Sequence, residues 1–386
     1  MDKAYYLYVS STARKSRTDL NPGIDIFRLD PQSSTVTHVD HLALGVNCNT
    51  SCIDHSRGIL YVTGEESSPE RARTYGSRIV TFDIDKETGH ITERCVTPVG
   101  SPNPAFICMD AQKQHLIVAN HTTHNFVYKI RRDENGRPVT VLDYDDATVC
   151  LFDLREDGTP GELLDVAIQE GSGPLKTQTH AHPHSAVMSP DGQLVAVCDK
   201  GADKIFMYRI DSDNQRLTLA CPPYTATAGN EPRFCAFHPT KPYFYANHEG
   251  DLDVDAFSYD QSGHLALLQT VSAFPLGTPT PAGRVYENQG FSIHPSGKYL
   301  YSVTRGVDGI AVFSIDDATG QLTLIQHCPI NSSWPRCCQI TPDGQWLVAG
   351  TRENNCLLLY KIAEDGFLDL RQQIPWDYEV AFISIL

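Results

Sequence analysis

The 386-residue chain is predicted to be all-β, closed into a ring of seven four-stranded antiparallel units. Three observations predict this. An aromatic strand signature recurs seven times, a strand-turn-strand hairpin precedes six of the copies, and the two ends of the chain are complementary. The signature is an aromatic residue, a variable one, an apolar one and usually an acid, followed by a polar turn. It starts at Phe27, Phe82, Phe152, Tyr208, Phe257, Phe313 and Tyr360, with spacings of 55, 70, 56, 49, 56 and 47 residues. That period is in the range of a four-stranded propeller blade, and strands at regular spacing with little helical periodicity exclude a mixed fold. The whole chain reads as a single domain in the form of a seven-bladed β-propeller.

The hairpins are marked by their turns, around Ile53, Met109, Pro190, Pro239, Pro295 and Pro342. In the clearest, Pro190-Asp191-Gly192 makes a tight turn and Gln193 to Cys198 returns as a strand. The 70-residue interval contains an insertion around 131–146. The N-terminus enters at a second strand, Tyr5 to Ser10, and so lacks a first; Val380 to Ile385 is a surplus strand at the other end. Pairing the two closes the ring and removes both exposed edges.

Composition bounds the function. Hydrophobic residues are 41%, charged residues 20% and the formal net charge is −16. Such a field repels nucleic acid and anionic membrane, so neither is expected as a partner. The N-terminal stretch has no leader-like apolar run, and no apolar run is long enough to span a membrane, so the cytoplasm is the expected location. Twelve scattered cysteines without a CxxC read as free buried thiols.

Aligning the units on their turn markers brings out two sets of polar residues. Six positions before the marker stand Asn47, Asn103, His184, Arg233, Gln289 and Arg336; ten after it stand Thr63, Ala119 with Asn120 adjacent, Lys200, Glu249, Arg305 and Arg352. Antiparallel pairing puts both offsets at one end of each unit, where a rigid scaffold commonly places chemistry. On residue type alone His184, Glu249, Arg233 and Arg305 are the candidate catalytic set. His and Glu suit proton transfer near neutral pH, and arginines bind carboxylate or phosphate and stabilise an oxyanion. His182, Lys200, Gln289, Arg336, Arg352, Asn103 and Asn120 are candidate substrate contacts, although Lys200 and Arg352 are equally accounted for as rim ion pairs.

His180, His182 and His184 alternate along one strand, about 7 Å apart along it. One tetrahedral ion does not easily reach all three, and neither a metal nor any other cofactor is expected. His121, His124 and His248 read as surface residues near the insertion, and Trp334 and Trp346 as packing between units.

Four segments carry a resemblance. Pro183-His184-Ser185-Ala186 before Ser189-Pro190-Asp191-Gly192, Glu231-Pro232-Arg233 before Phe237-His238-Pro239, Asn247-His248-Glu249, and Thr304-Arg305-Gly306 resemble the lactonase-type seven-bladed propeller family. That family contains bacterial 6-phosphogluconolactonases and fungal carboxymuconate-lactonising enzymes. The resemblance implies functional roles at His184, Arg233, Glu249 and Arg305. It implies hydrolysis of an anionic sugar lactone, with ring closure of a carboxymuconate at the same site as the alternative; a propeller that binds a protein or small anion without catalysis is a third reading, independent of the resemblance. Neighbouring positions depart from the family pattern, with Phe234 where His is usual and Gly290 where an acid is common.

Overall fold

The computed structural model describes residues 4–13, 19–65, 77–123, 125–279, 284–332 and 334–386. Seven antiparallel sheets stand around a central channel, numbered here as blades 1 to 7 in chain order. Their innermost strands are Glu379–Ile385 in blade 1, Asn47–Asp54 in blade 2, Pro104–Met109 in blade 3 and Pro183–Met188 in blade 4. Pro232–Phe237, Glu287–Ile293 and Pro335–Ile340 follow in blades 5, 6 and 7. Each inner strand packs on the next, and the strand of blade 7 packs on that of blade 1, so the ring is closed.

Closure is made by the surplus C-terminal strand. Glu379–Ile385 pairs antiparallel with Tyr5–Thr12, from Leu7 opposite Ile385 to Thr12 opposite Glu379. Val380 and Ile383 are fully buried there, in one cluster with Leu7, Phe27, Trp346, Val348 and Leu357 from blades 1 and 7. Burial of such side chains contributes about 1.5–3 kcal/mol each.

The recurring aromatic residue proves to be a position on each third strand. All seven copies are buried. In six blades the pairing of third and fourth strands shifts register immediately before it, as at Ile26/Phe27, Thr81/Phe82 and Val312/Phe313. Such a bulge bends the outer strand and increases its twist. Blades are tied to their neighbours by buried tyrosines of the second strands. The hydroxyls of Tyr8, Tyr61, Tyr245 and Tyr301 donate to the carbonyls of Gly89, Gly158, Gly320 and Gly366 in the next blade, at 2.7–3.0 Å.

The extra segment of blade 3 is a two-stranded hairpin, Phe126–Arg132 with Pro138–Tyr144. It begins five residues earlier than the turn-rich span that marked it in the sequence. The hairpin leaves the second strand of blade 3 at the end that carries the polar residues described below.

Candidate active site

In every blade the inner strand carries a bulge near its start. Pairs such as Pro183 with Asp199 and Ser185 with Cys198 leave His184 without an opposite residue. The same shift leaves out Ala105, Arg233 and Arg336 in blades 3, 5 and 7. Asn49-Thr50 and Gln289-Gly290 occupy the longer bulges of blades 2 and 6. A bulge re-aims its side chain out of the ladder. Proline precedes the extra residue in blades 3, 4, 5 and 7, where no ladder donor is lost. The residues before three of these prolines, Asn103, Glu231 and Trp334, hold φ of 51°, 53° and 61°. Non-glycine residues in that region carry strain that surrounding packing must sustain.

The second ring lies opposite the residue two positions before each bulge. Glu65 pairs with Asn47 and Arg305 with Glu287. The amides of His121, Lys200, Glu249 and Arg352 donate to the carbonyls of Asn103, His182, Glu231 and Trp334 at 2.9–3.2 Å. Together the two rings line a cavity of about 280 Å³ at one end of the channel: Asn49, Glu65, Asn103, Ala105, His121, His184, Lys200, Arg233, Glu249, Arg305, Arg336 and Arg352. A larger concavity of about 950 Å³ lies between the outer turns of blades 4 and 5. Two of its cations, Arg209 and Lys241, are taken up by the carbonyls of Gln261 and Asp317, and its histidine, His238, has both ring nitrogens engaged, Nε2 donating to the Gly297 carbonyl at 3.0 Å and Nδ1 accepting from the amides of Thr240 and Lys241.

All four residues proposed as catalytic from the sequence border this one cavity, as do Lys200, Arg336, Arg352 and Asn103. Three others do not. His182 is fully buried behind His121; its Nδ1 lies 2.8 Å from Thr122 Oγ1, and the two imidazoles stack at 4.7 Å. Gln289 is buried and donates to Glu287 at 3.0 Å. Asn120 is buried and donates to Thr148 at 3.1 Å. Thr63 is likewise turned away from the mouth, its hydroxyl donating to the Thr50 carbonyl at 3.0 Å.

Asn49, Glu65, Ala105 and His121 are the cavity residues that the turn alignment misses. Blades 2 and 3 have no proline in the hairpin turn, and the markers placed at Ile53 and Met109 fall two residues early. Shifting both to His55 and Ala111 brings Asn49 and Glu65, and Ala105 and His121, into register with His184 and Lys200. His121 is therefore not a surface residue. Nor is His248, which is buried with Nδ1 3.2 Å from Asp251 and Nε2 3.1 Å from Asp255. Burial opposes its charge, but the two carboxylates outweigh burial and push its pKa up to about 9. His124 lies outside the described residues.

Charge dominates the cavity. Glu249 lies between two cations, accepting from Lys200 Nζ at 2.8 Å and ion-paired with Arg233 Nε. Burial pushes its pKa up, yet Lys200 and Arg233, with Arg305 farther off, outweigh it and hold the carboxyl well below the usual carboxylate range. Arg305 donates to Glu287 at 2.9 Å and to the Pro335 carbonyl at 3.0 Å, and Arg352 to Glu379 at 2.6 Å. Five cations thus face two lining acids, Glu65 and Glu249, with Glu287 and Glu379 paired behind. The cavity is locally positive in a protein of net charge −16.

His184 sits among these cations and is held neutral. Burial first, then Arg233 and His121, push its pKa well below the ordinary 6.5. Its Nδ1 is enclosed without a partner among the described residues, which leaves Nε2 as the nitrogen open to the cavity. The ring is fixed edge-on against Phe234 at 5.1 Å, and the same phenylalanine lies under the Arg233 guanidinium at 4.7 Å. Phe234 is thus the shared floor of base and cation. Beneath it aromatic rings cross the channel. Phe106, Phe234 and Phe382, from the inner strands of blades 3, 5 and 1, meet edge to face at 5.9 and 6.0 Å. Below Phe106 and Phe382 lies a separate chamber of about 390 Å³ that carries no lysine or arginine.

Among the described residues no group of His, Cys, Asp or Glu has the geometry to hold a metal ion. The chemistry this constellation can do is proton abstraction by a neutral imidazole beside fixed positive charge, on an anionic molecule held at one end of the channel.

Comparison with known proteins gives the following matches. Residues 6–382 match the family described as lactonase, 7-bladed beta-propeller. The chain is 27% identical over 368 residues to a 6-phosphogluconolactonase of Bacillus subtilis, covering 94% of each. It is 31% identical over 291 residues to a 6-phosphogluconolactonase of Erwinia tasmaniensis, covering 75% of each. Among solved structures, the periplasmic gluconolactonase of Pseudomonas aeruginosa superposes with a TM-score of 0.81 at 20% identity, over 100% of this chain and 99% of that one. At that identity the likeness is one of fold.

Proposed function

The chain belongs to the seven-bladed β-propeller lactonase family, and from that premise we propose that it hydrolyses a small anionic lactone of the 6-phosphogluconolactone type. The observation that carries this reading is the neutral His184, with an accessible Nε2, set beside Arg233 in a cavity with excess positive charge.

In the proposed reaction water attacks the lactone carbonyl and gives its proton to His184 Nε2. The developing oxyanion is met by Arg233 or Lys200, both already oriented by Glu249. The carbon–oxygen bond to the ring then breaks, and His184 returns the proton to the departing alkoxide. Glu249 stays ionised throughout, because two cations stabilise its charged form; its role is to position Lys200 and Arg233. General base help is worth ~10²–10⁴ in rate and one oxyanion donor ~10²–10³. Because lactones already open slowly in water, this set is sufficient.

The test is a panel of sugar-acid lactones followed by pH-stat, with a muconate panel followed by ultraviolet absorbance. Turnover of anionic lactones that falls at least about 100-fold in His184→Ala supports the reading. Absence of lactone opening by the wild-type protein, or ring closure of a muconate in its place, would overturn it.

A further inference from the structure

Four of the five cavity cations have acceptors within the protein. Lys200 and Arg233 share Glu249, Arg305 has Glu287 and the Pro335 carbonyl, and Arg352 has Glu379. Arg336 is different. It occupies the bulge of blade 7, lines the cavity, and has no hydrogen-bond acceptor or ion-pair partner among the described residues. Among the described residues the lining carboxylate Glu65 forms no ion pair with it, although its charge favours that of the guanidinium. Burial and the neighbouring Arg352 and Arg233 all oppose its charge, yet a guanidinium does not give up its proton in proteins. Leaving a charge enclosed without a counter-ion is costly, and that cost is recovered when an anion enters.

The position of Arg336 also matters. Blades 4 and 7 are three steps apart in a ring of seven, the largest separation the ring allows. His184 and Arg336 therefore face each other across the channel mouth, on either side of a cavity of about 280 Å³, which has room for one molecule of sugar-acid size.

We propose that Arg336 is the specificity-determining anchor of the site, binding through its planar fork a carboxylate or phosphate carried on the part of the substrate farthest from the reacting carbonyl. The substrate class is then a lactone with its anionic group across the ring from the carbonyl. This placement rests on the lactonase reading only for the side on which the carbonyl reacts; the anion site at Arg336 stands without it.

The experiment measures binding of stable ring-opened acids by calorimetry. D-gluconate has one carboxylate, whereas 6-phosphogluconate and D-glucarate add a phosphate or a second carboxylate at the far end. Wild-type protein should bind at least one of these two more highly charged acids about tenfold or more tightly than gluconate, the scale of a hydrogen-bonded charge pair. Which of the two is preferred identifies phosphate or carboxylate as the anchored group. Arg336→Met, which keeps the length of the side chain and removes its charge, should erase the preference while leaving the melting temperature of the ligand-free protein equal or higher. Arg336→Lys should restore part of the affinity without the two-point fork. Lack of discrimination in the wild type, retention of it in Arg336→Met, or equal loss of all three ligands with a lowered melting temperature would each overturn the assignment. Failure of lactone turnover with this binding pattern intact would instead reject the hydrolytic reading and leave the anion site in place.

Discussion

At the scale of single residues, the environment of His184 decides where on the pH axis activity is lost. A base must be neutral to act, and burial with the adjacent cations keeps this imidazole neutral well below the ordinary 6.5. The acid limb of kcat/KM should therefore lie clearly below pH 6.5, and a pH-rate profile measures it directly. A limb near 6.5 would mean that another group titrates. Glu249 behaves differently on substitution. Replacing it with glutamine leaves Lys200 and Arg233 facing each other without their shared carboxylate, so Glu249→Gln should lower stability by about 3–5 kcal/mol as well as turnover. Urea unfolding of Glu249→Gln beside His184→Ala separates the two, since the histidine variant removes no charge. Because the folded-state pKa of Glu249 is depressed, its contribution is complete above the normal carboxylate range. It is lost only as pH falls through the depressed value.

At the scale of elements, the inner strand with its bulge is the unit that builds the site, and it explains both what the sequence revealed and what it concealed. Where a proline marks the hairpin turn, as at Pro190, Pro239, Pro295 and Pro342, counting residues from it leads to His184, Arg233, Arg305 and Arg336 with no structure in hand. In blades 2 and 3 the turns Asp54 to Gly58 and Asp110 to Gln114 lack that proline. There the count falls two residues short, and it passes over Asn49, Glu65, Ala105 and His121. The bulges themselves were not legible, because an unpaired residue in a ladder leaves no mark on hydrophobic alternation over so short a strand. His182 was misplaced for the same reason: strand alternation assigns it the face of His184, but the bulge lies between His182 and the ladder and turns the two apart. Gly290 shows how tightly these strands approach. A Cβ there would stand 2.5 Å from the Cα of Cys337 in the next blade, so Gly290→Ala should cost about 1–3 kcal/mol, read from a urea midpoint.

For the whole molecule, the count of seven and the closure of the ring were legible because period and chain ends are global properties that no single turn can corrupt. The closing strand makes a testable demand. Val380 is fully buried between blades 1 and 7, so Val380→Asp should unfasten the ring. Loss of a single cooperative melting transition, followed by calorimetry, is the expected outcome, whereas a surface position such as Leu276, 93% exposed, should tolerate the same change.

If the three phenylalanines that cross the channel bar passage through it, traffic has one route only. A tube open at both ends could take in one molecule while discharging another; a vessel with a single door cannot. Whatever enters past Arg336 and His184 must leave by the same way before the next can arrive. An opened acid, still carrying its charge and now bearing a new carboxylate, departs against the same cations that drew it in. Its residence, and not the bond-breaking step, is then expected to set the pace at high substrate concentration, so that accumulated product holds the door shut.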